Sequence, residues 1–340
     1  MNSFFDIIYI TNLPAFYKIN LFNEISKNKK ILVVFLEDQD VQRNKDFYKG
    51  ERLFQYVSLG SYNKLRKLIT LLKILLSNDY KQLIVGGWDY LEYWVSLLIS
   101  PKVKNSLVIE SSILESSVTG FKALIKNRFL KRVSKVYASG EAQSSLVKKL
   151  GFKENIIKTK GVGVFNLVEQ PKFSPIDKVQ NFLYVGRLSP EKNLKHLIKC
   201  FNKYPQLELT IIGFGPLEIS LKKIAKRNIK FLGAIKNENL FKHYQRNHVF
   251  ILPSISEVWG LVVEEALNNG LPVILSDKIG CAPEVLNEGL NGIIFSLNDP
   301  NSLENAVLKM CDLELYNSLR LNVSKIDFDK IKTNQISCYC

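Results

Sequence analysis

Short apolar runs alternate with longer amphipathic stretches along the whole 340-residue chain. The short runs are rich in β-branched residues and bounded by turn residues, as in buried strands, whereas the longer stretches repeat apolar residues at helical spacing. This alternation predicts parallel sheets covered by helices. The predicted strands are residues 7–10, 31–36, 83–85, 107–110, 135–138 and 156–159 in the first half, then 182–185, 207–212, 229–232, 249–252, 272–275 and 293–295.

A polar stretch with two prolines, residues 169–177, separates the two sets of strands and is the best linker candidate. The length also suffices for two domains of ordinary size. We therefore predict one α/β domain over residues 1–168, a second over residues 178–324, and a tail over residues 325–340 that could cross back to the first. Because open α/β sheets bind ligands beyond the carboxyl ends of their strands, two facing domains would enclose a cleft.

The segment from Ser256 to Val273 places two carboxylates around the start of a predicted helix. Glu257 lies in the preceding loop, and Glu265 lies in the second helical turn, where side chains lean towards the N-terminus. The first N–H groups of the helix would attract a phosphate, and carboxylates would accept hydrogen bonds from sugar hydroxyls. The segment therefore suggests a nucleotide-sugar site, although spacing alone is equally consistent with two solvated acids near a helix start.

The formal net charge of +15 indicates an anionic partner, which could be nucleic acid, a membrane surface or a phosphorylated substrate. Basic residues concentrate in residues 64–81 and 122–135, where they interleave with apolar residues. Residues 63–77 could form an interfacial helix with leucines in the acyl boundary and lysines on headgroups. They could equally form a surface helix over a sheet, with lysines in water. No window approaches the roughly 18 apolar residues needed to span a bilayer.

The N-terminus and the cysteines favour a cytoplasmic protein. Residues 1–10 lack a basic leader and predict a first strand rather than a signal peptide. The cysteines are odd in number and show no CxxC spacing, which argues against a disulfide framework or a zinc site. The five cysteines are Cys200, Cys281, Cys311, Cys338 and Cys340.

The segment 256–273 resembles the Glu-x7-Glu motif of the retaining, group 1 glycosyltransferases of family 4. The matching residues are Glu257, Gly260, Leu261, Glu265, Ala266, Gly270, Pro272 and Val273. Residues 184–192, 209–216, 231–233, 280–284 and 291–292 also match in order, whereas the first half of the chain matches far less specifically. The resemblance implies the GT-B fold, in which two Rossmann-like, doubly wound parallel-sheet domains face each other across a cleft.

The resemblance also implies roles for the matched residues. Arg187 and Lys192 would grip the donor diphosphate and neutralise the charge that grows on the leaving group; alone, their segment would indicate only a capped helix start. Glu257 would contact the transferred sugar and Glu265 the ribose. The full set predicted to bind the nucleotide sugar is Gly186, Gly213, Gly215, Val258, Trp259, Gly260, Leu261, Val262 and Glu265, with Arg187, Lys192 and Glu257 as catalytic residues.

The first domain is expected to hold the acceptor, with less specific signals. Polar or aromatic residues that follow its predicted strands could bond sugar hydroxyls, or could form tight turns and pack as core aromatics. These candidates are Asn12, Tyr17, Trp88, Asp89, Glu110 and Ser111. Relatives often carry a histidine here, but all three histidines of this chain lie in its second half. The resemblance implies that no metal or other cofactor is needed, and Asp38-Gln-Asp40 resembles a metal-binding DxD only superficially.

The sequence together with this resemblance predicts a cytoplasmic glycosyltransferase that could lie peripherally on the inner face of the cytoplasmic membrane, and the resemblance alone implies that it is retaining. It would move a sugar from a nucleotide-diphosphate donor to a saccharide or lipid-linked acceptor in bacterial polysaccharide or lipopolysaccharide biosynthesis. One rival is a related sugar-nucleotide epimerase or hydrolase. The other is a non-enzymatic, basic membrane- or nucleic-acid-binding protein, which leaves the glutamate pair unexplained, so no nucleic acid partner is expected.

Overall fold

The computed structural model of the protein describes residues 3–40 and 44–340. The chain forms two compact units, one made of Met1–Phe165 with Asp329–Cys340 and the other of Asn166–Phe328. The last residues of the chain therefore belong to the first unit.

The first unit contains a seven-stranded parallel sheet with the order β3-β2-β1-β4-β5-β6-β7. Its strands are β1 (Ser3–Thr11), β2 (Ile31–Phe35), β3 (Gln55–Ser58), β4 (Asn78–Val85), β5 (Asn105–Ile109), β6 (Lys135–Ala138) and β7 (Asn155–Lys158). Its helices are α1 (Phe16–Ser26), α2 (Lys64–Ser77), α3 (Leu91–Ile99), α4 (Gly120–Leu130) and α5 (Glu141–Lys149).

The second unit contains a six-stranded parallel sheet with the order β10-β9-β8-β11-β12-β13. Its strands are β8 (Asn181–Val185), β9 (Glu208–Ile212), β10 (Ile229–Gly233), β11 (Val249–Leu252), β12 (Val273–Ser276) and β13 (Gly292–Phe295). Its helices are α6 (Leu194–Phe201), α7 (Glu218–Ile224), α8 (Asn237–Gln245), α9 (Leu261–Asn268), α10 (Ala282–Val285), α11 (Ser302–Met310) and α12 (Leu313–Val323), after which α13 (Phe328–Ser337) leads into the first unit.

Both sheets share one topology, in which the strand order reverses beside the first strand of the unit. The reversal lies between β1 and β4 in the first sheet and between β8 and β11 in the second. This is the doubly wound arrangement, whose ligands bind beyond the carboxyl ends of the strands at the reversal. The predicted pair of Rossmann-like domains is thus confirmed, and the topology points to the loops after β1, β4, β8 and β11.

Helices cover both faces of the first sheet. On one face α2 directs Lys67, Leu71 and Leu75 towards the core, four residues apart, and the side chain of Asn63 caps this helix by accepting from the Arg66 N–H at 2.9 Å. On the other face, Tyr339 stacks on Tyr137 with ring centroids 4.7 Å apart. None of the helices in the described part of the chain combines the length and hydrophobicity needed to span a bilayer.

Two features of the fold were not predicted from the sequence. Strand β3 was not predicted, because Gln55–Ser58 is a short edge strand without a buried apolar run. The proposed linker, residues 169–177, is part of the second unit and is bonded to α12. The Ile176 N–H donates to Asn317 Oδ1 at 3.1 Å, and Arg320 donates to the Ser174 carbonyl at 2.9 Å. Its prolines keep the segment extended, which leaves its backbone groups available to these side chains.

Candidate active site

Hydrogen bonds join the loops that follow β8, β11 and β12 in the second unit. The Ile255 N–H donates to the Glu191 carbonyl at 2.8 Å, which connects the loops after β8 and β11. The Glu257 N–H donates to the Lys278 carbonyl at 3.1 Å, and the Gly280 N–H donates to the Glu257 carbonyl at 2.9 Å. Glu257 is therefore held at the point where the strand order reverses.

Lys192 and Glu257 form an ion pair across this reversal point. Their side chains are 16% and 17% exposed. The ammonium cancels the carboxylate charge, so a diphosphate placed here would not meet an unpaired negative charge. Lysine has three N–H donors, and two stay available for phosphate oxygens. Sequence reasoning gave these residues separate parts of the donor, and the structure brings them together.

Arg187 lies in the same loop, with an exposed side chain. The Tyr184 hydroxyl donates to the Arg187 carbonyl at 2.9 Å and so fixes the backbone. Burial alone would raise the pKa of Glu191, but the hydrogen bond from Ser189 and the charges of Lys192 and Arg187 outweigh it and lower that pKa. Glu191, which the sequence analysis did not select, is thus surrounded by the two predicted diphosphate-binding cations.

The predicted site glycines Gly213 and Gly215 allow two loops to touch. Gly213 has φ +134°, and a Cβ there would lie 1.9 Å from the Gly186 carbonyl oxygen. A Cβ on Gly215 would lie 2.5 Å from the Leu188 carbonyl oxygen, and the Leu188 N–H donates to the Phe214 carbonyl at 2.9 Å. Packing of the loops after β8 and β9 thus requires both glycines, while their contact with a nucleotide base stays a prediction.

Gly260 caps α9 with φ +97°. A Cβ at this position would lie 3.2 Å from Cγ of Glu257, so glycine lets the loop that carries Glu257 close against the helix start. The first backbone N–H of α9 that donates to a carbonyl is that of Val263, which donates to the Gly260 carbonyl at 2.9 Å. The N–H groups of Leu261 and Val262 come before it in the first turn, where an anion-binding site needs N–H groups without an intrahelical partner.

The remaining donor-side residues differ in accessibility. Trp259 is 4% exposed, and its indole Nε1–H donates to the buried Glu264 carboxylate at 2.7 Å. The Trp259 side chain therefore belongs to the core, and only its backbone can meet a ligand. Val258 is half-buried, and its carbonyl lies against Gly280.

Glu265 is half-buried and accepts a hydrogen bond from the Tyr244 hydroxyl of α8 at 3.0 Å. Burial raises its pKa to about 7, although the Tyr244 bond lowers it. Burial also raises the pKa of Glu264 to about 8, opposed by the Trp259 bond and assisted by the Glu265 charge. Sequence reasoning missed Tyr244 and Glu264, since nothing in the local pattern marks either contact.

We expect Glu264→Gln to stabilise the protein increasingly as pH rises. The pKa of Glu264 is about 8 in the folded state, against 4.5 for an ordinary glutamate. The protonated side chain therefore contributes stability that is complete below about pH 4.5 and is lost as pH rises through about 8. Glutamine keeps an acceptor for Trp259 without this loss. Thermal unfolding from pH 5 to pH 9 measures the effect, with the exposed Glu238→Gln as control, and a Tm difference independent of pH would contradict it.

A buried lysine lies at the carboxyl end of the first sheet. Nζ of Lys18 is 2.9 Å from Glu110 Oε1, 3.2 Å from Asn12 Oδ1 and 3.3 Å from Thr11 Oγ1. Burial would lower the pKa of Lys18, but the charge and hydrogen bond of Glu110, together with Tyr17 and Tyr90, outweigh burial and the pKa is raised. The structure thus joins two predicted acceptor-side residues, Asn12 and Glu110, through a lysine that sequence reasoning missed because its position on α1 resembles that of a solvated residue.

Of the other acceptor-side candidates, Tyr17 lies beside this lysine, with its ring centroid 5.9 Å from Lys18 Nζ. Trp88 is 8% exposed and packs in the core. Of the two roles predicted for this aromatic, sugar binding or core packing, the structure shows core packing. Asp89 is exposed and Ser111 is half-buried. The Tyr17 ring packs edge-on against Phe47 with centroids 5.9 Å apart.

We expect Glu110→Gln to destabilise the protein more than Lys18→Met. The Lys18 side chain is 8% exposed and that of Glu110 is 33% exposed. Losing the glutamate charge leaves a buried ammonium without its counter-charge, at a cost on the order of 2–3 kcal/mol, whereas water can solvate a solitary Glu110. In urea denaturation the double variant should then resemble Lys18→Met. Equal and additive effects of the single changes would contradict this prediction.

No metal centre is evident in residues 3–40 and 44–340, where no three His, Cys, Asp or Glu side chains are grouped closely enough to hold an ion. The Asp38 carboxylate accepts a hydrogen bond from Ser58. The backbone N–H of Asp40 donates to the Tyr48 hydroxyl at 3.0 Å.

Comparison with known proteins identifies the second unit. Residues 168–325 match the family model described as Glycosyl transferases group 1. The chain is 34% identical over 129 residues to the sulfoquinovosyl transferase of Arabidopsis thaliana, covering 38% of this chain and 25% of that protein. It spans between 25% and 34% of the length of the first four curated relatives that it matches.

Two longer matches extend across both units. The O-antigen biosynthesis glycosyltransferase WbnH of Escherichia coli is 28% identical over 278 residues, covering 79% of this chain and 80% of that protein. The solved structure of Anabaena HepE in complex with UDP and glucose superimposes with a TM-score of 0.69 at 16% identity, covering 97% of each chain. The chain thus has the GT-B fold, and its residues 168–325 belong to the group 1 glycosyl transferase family.

Proposed function

We propose that the protein is a retaining glycosyltransferase of family 4 that moves a sugar from a nucleotide-diphosphate donor to a saccharide or lipid-linked acceptor. Bacterial polysaccharide or lipopolysaccharide biosynthesis is the proposed setting. The observation that carries the proposal is the Lys192–Glu257 ion pair at the reversal point of the second sheet. The family match, the O-antigen relative and the UDP-bound structural neighbour support it.

In this proposal the residues after β8 bind the diphosphate of the donor, and the residues after β11 bind its sugar and ribose. Arg187 and Lys192 attract the diphosphate, whose charge grows as the glycosidic bond breaks, so their attraction is stronger in the transition state than in the bound donor. The N–H groups at the start of α9 provide a further anion seat. Glu257 accepts from a hydroxyl of the transferred sugar, and Glu265 accepts from the ribose.

The transfer step needs no dedicated protein base in this proposal. The acceptor oxygen bonds to the anomeric carbon on the face from which the diphosphate departs, the bond from that carbon to the phosphate oxygen breaks, and the acceptor proton passes to the leaving phosphate. Retention follows from attack on that face. We assign no metal or other cofactor, since the cations of Arg187 and Lys192 supply the positive charge.

We further propose that the protein is cytoplasmic and contacts the inner face of the membrane peripherally. The predicted interfacial helix is α2, whose inner stripe covers the sheet while Leu65, Ile69 and Leu76 are 69%, 44% and 72% exposed. Lys64 and Lys73 are exposed beside them. Exposed leucines flanked by lysines suit an interface between acyl chains and anionic headgroups.

A calorimetric titration with UDP, GDP and ADP sugars tests the donor site. We expect saturable binding to one nucleotide class and at least about tenfold weaker binding in Glu265→Ala, because ribose hydroxyls lose an acceptor. The exposed Glu314→Ala is the matched control and should bind as the parent does. Failure of every nucleotide sugar to bind would overturn the proposal.

Product analysis separates the enzymatic rivals once a donor is known. Release of the nucleoside diphosphate should depend on acceptor, and proton NMR should show the donor's anomeric configuration in the product. Release without any acceptor would indicate a hydrolase, and conversion to another nucleotide sugar an epimerase. A purely basic binding protein would give neither reaction, and it leaves the Lys192–Glu257 pair unexplained.

A further inference from the structure

Helices α3 and α4 of the first unit leave large apolar side chains in solvent. Leu91 and Leu98, seven residues apart on α3, are 60% and 56% exposed. On α4, Phe121 and Leu124 are 77% and 69% exposed, and Ile125 beside them is 42% exposed. Single exposed leucines are ordinary, whereas clustered ones indicate an interaction surface.

A groove of about 460 Å³ lies between these two helices. Its floor is apolar, since the rings of Trp94 and Phe129 meet edge to face with centroids 4.7 Å apart. Its lining residues, which define the α3–α4 groove, are Trp94, Leu97, Leu98, Arg128, Phe129, Lys131 and Arg132. The volume is typical of a small-molecule pocket.

The rim of the α3–α4 groove is positively charged. Arg128, Lys131 and Arg132 have exposed side chains, and no carboxylate is among the lining residues. Helix α4 itself contains no acidic residue, and the one acid of α3, Glu92, is buried at 7% exposure. The groove therefore combines an apolar floor with a cationic rim, which is complementary to an amphiphile of negative charge.

We propose that the α3–α4 groove seats an anionic phospholipid of a bilayer. An acyl chain lies against Trp94 and Leu98, the phosphate meets Arg128 and Arg132, and Phe121 enters the acyl boundary. Nucleic acid would use the cations but leave the exposed leucines in water, and a neutral apolar partner would leave the cations without counter-charge. The inference rests on the membrane contact proposed for α2, which packs against α3.

Fluorescence quenching by brominated acyl chains tests the groove directly. Trp88 and Trp259 are 8% and 4% exposed, whereas Trp94 is half-buried in the groove. We expect vesicles of brominated phosphatidylglycerol to quench the parent protein, and Trp94→Phe to lose that quenching while it still sediments with the vesicles. Vesicles of brominated phosphatidylcholine should quench neither protein.

Surface variants provide a second readout without disturbing the core. We expect Leu98→Ser or Leu124→Ser to reduce sedimentation with phosphatidylglycerol vesicles about tenfold, as expected when a buried leucine is lost. Ile219→Ser on α7, 74% exposed in the second unit, is the matched control and should sediment as the parent does.

The outcomes separate this inference from the proposals on which it rests. Sedimentation of the parent without quenching of Trp94 would overturn the groove and leave the membrane contact standing. Equal quenching by phosphatidylcholine would overturn the anionic preference. No sedimentation with phosphatidylglycerol vesicles at low salt would overturn both the membrane contact of α2 and the lipid in the α3–α4 groove. Donor binding measured by calorimetry does not depend on any of these vesicle results.

Discussion

Lys192→Met is expected to lower kcat/KM for sugar transfer by about 100- to 1,000-fold, the usual cost of losing one group that stabilises transition-state charge. The ammonium lies at the reversal point of the second sheet, bonded to Glu257. In the proposed site its removal takes a positive charge from the departing diphosphate and leaves the carboxylate of Glu257 unpaired beside the donor phosphates. Both effects raise the barrier, so the loss should appear in kcat as well as in donor affinity.

A nearby lysine provides the control for this prediction. Lys195 lies three residues further along, on α6, with an exposed side chain. Lys195→Met changes the net charge by the same amount and should leave kcat/KM within about twofold, because a solvated charge is screened by water and salt. Steady-state release of the nucleoside diphosphate measures both variants. Equal losses of kcat/KM in the two variants would show that Lys192 has no special role in the reaction.

Gly213→Ala is expected to destabilise the second unit by about 4 kcal/mol or more. Its Cβ would be placed 1.9 Å from the Gly186 carbonyl oxygen, and its φ of +134° disfavours any side chain. The obstacle is backbone of the neighbouring loop, which cannot turn away as a side chain can. The two loops that position Arg187 would therefore separate, and donor binding should be lost together with thermal stability.

Two further glycines separate the contributions of backbone strain and of the Cβ clash to the destabilisation expected for Gly213→Ala. Gly289 has φ +74° with open space around its Cβ position, so Gly289→Ala reports backbone strain alone, at about 1 kcal/mol. Gly280 is not restricted by φ, but its Cβ would lie 1.9 Å from the Val258 carbonyl oxygen, so Gly280→Ala reports the clash. Urea denaturation ranks the three. A Gly213→Ala cost no larger than that of Gly289→Ala would show that the loops are not tightly packed.

The fold was largely predictable because buried parallel strands carry continuous apolar runs. Val249–Leu252, for example, is buried at all four positions and was predicted with its bounds. β3 was missed because Gln55 and Tyr56 are exposed on an edge strand, where the apolar signal is absent. The packing of residues 169–177 on α12 was not predictable, because proline-rich composition indicates extended backbone without saying whether that backbone packs.

The residues of the candidate site could be proposed from the sequence, but their contacts could not. The glycine positions and the loops after β8 and β11 follow from local motifs. The pairing of Lys192 with Glu257, 65 residues apart, depends on how the sheet orders its strands. The burial of Lys18 and Glu264 was likewise invisible, since each looks like a solvated helix residue until its long-range partner is known.

Hydrogen–deuterium exchange with the nucleotide sugar selected by calorimetry tests the location of the donor site most directly. The account predicts slower amide exchange in residues 186–192 and 257–263, on the two sides of the strand reversal, with exchange in α11 unchanged. Saturable donor binding that leaves both segments unprotected would contradict it.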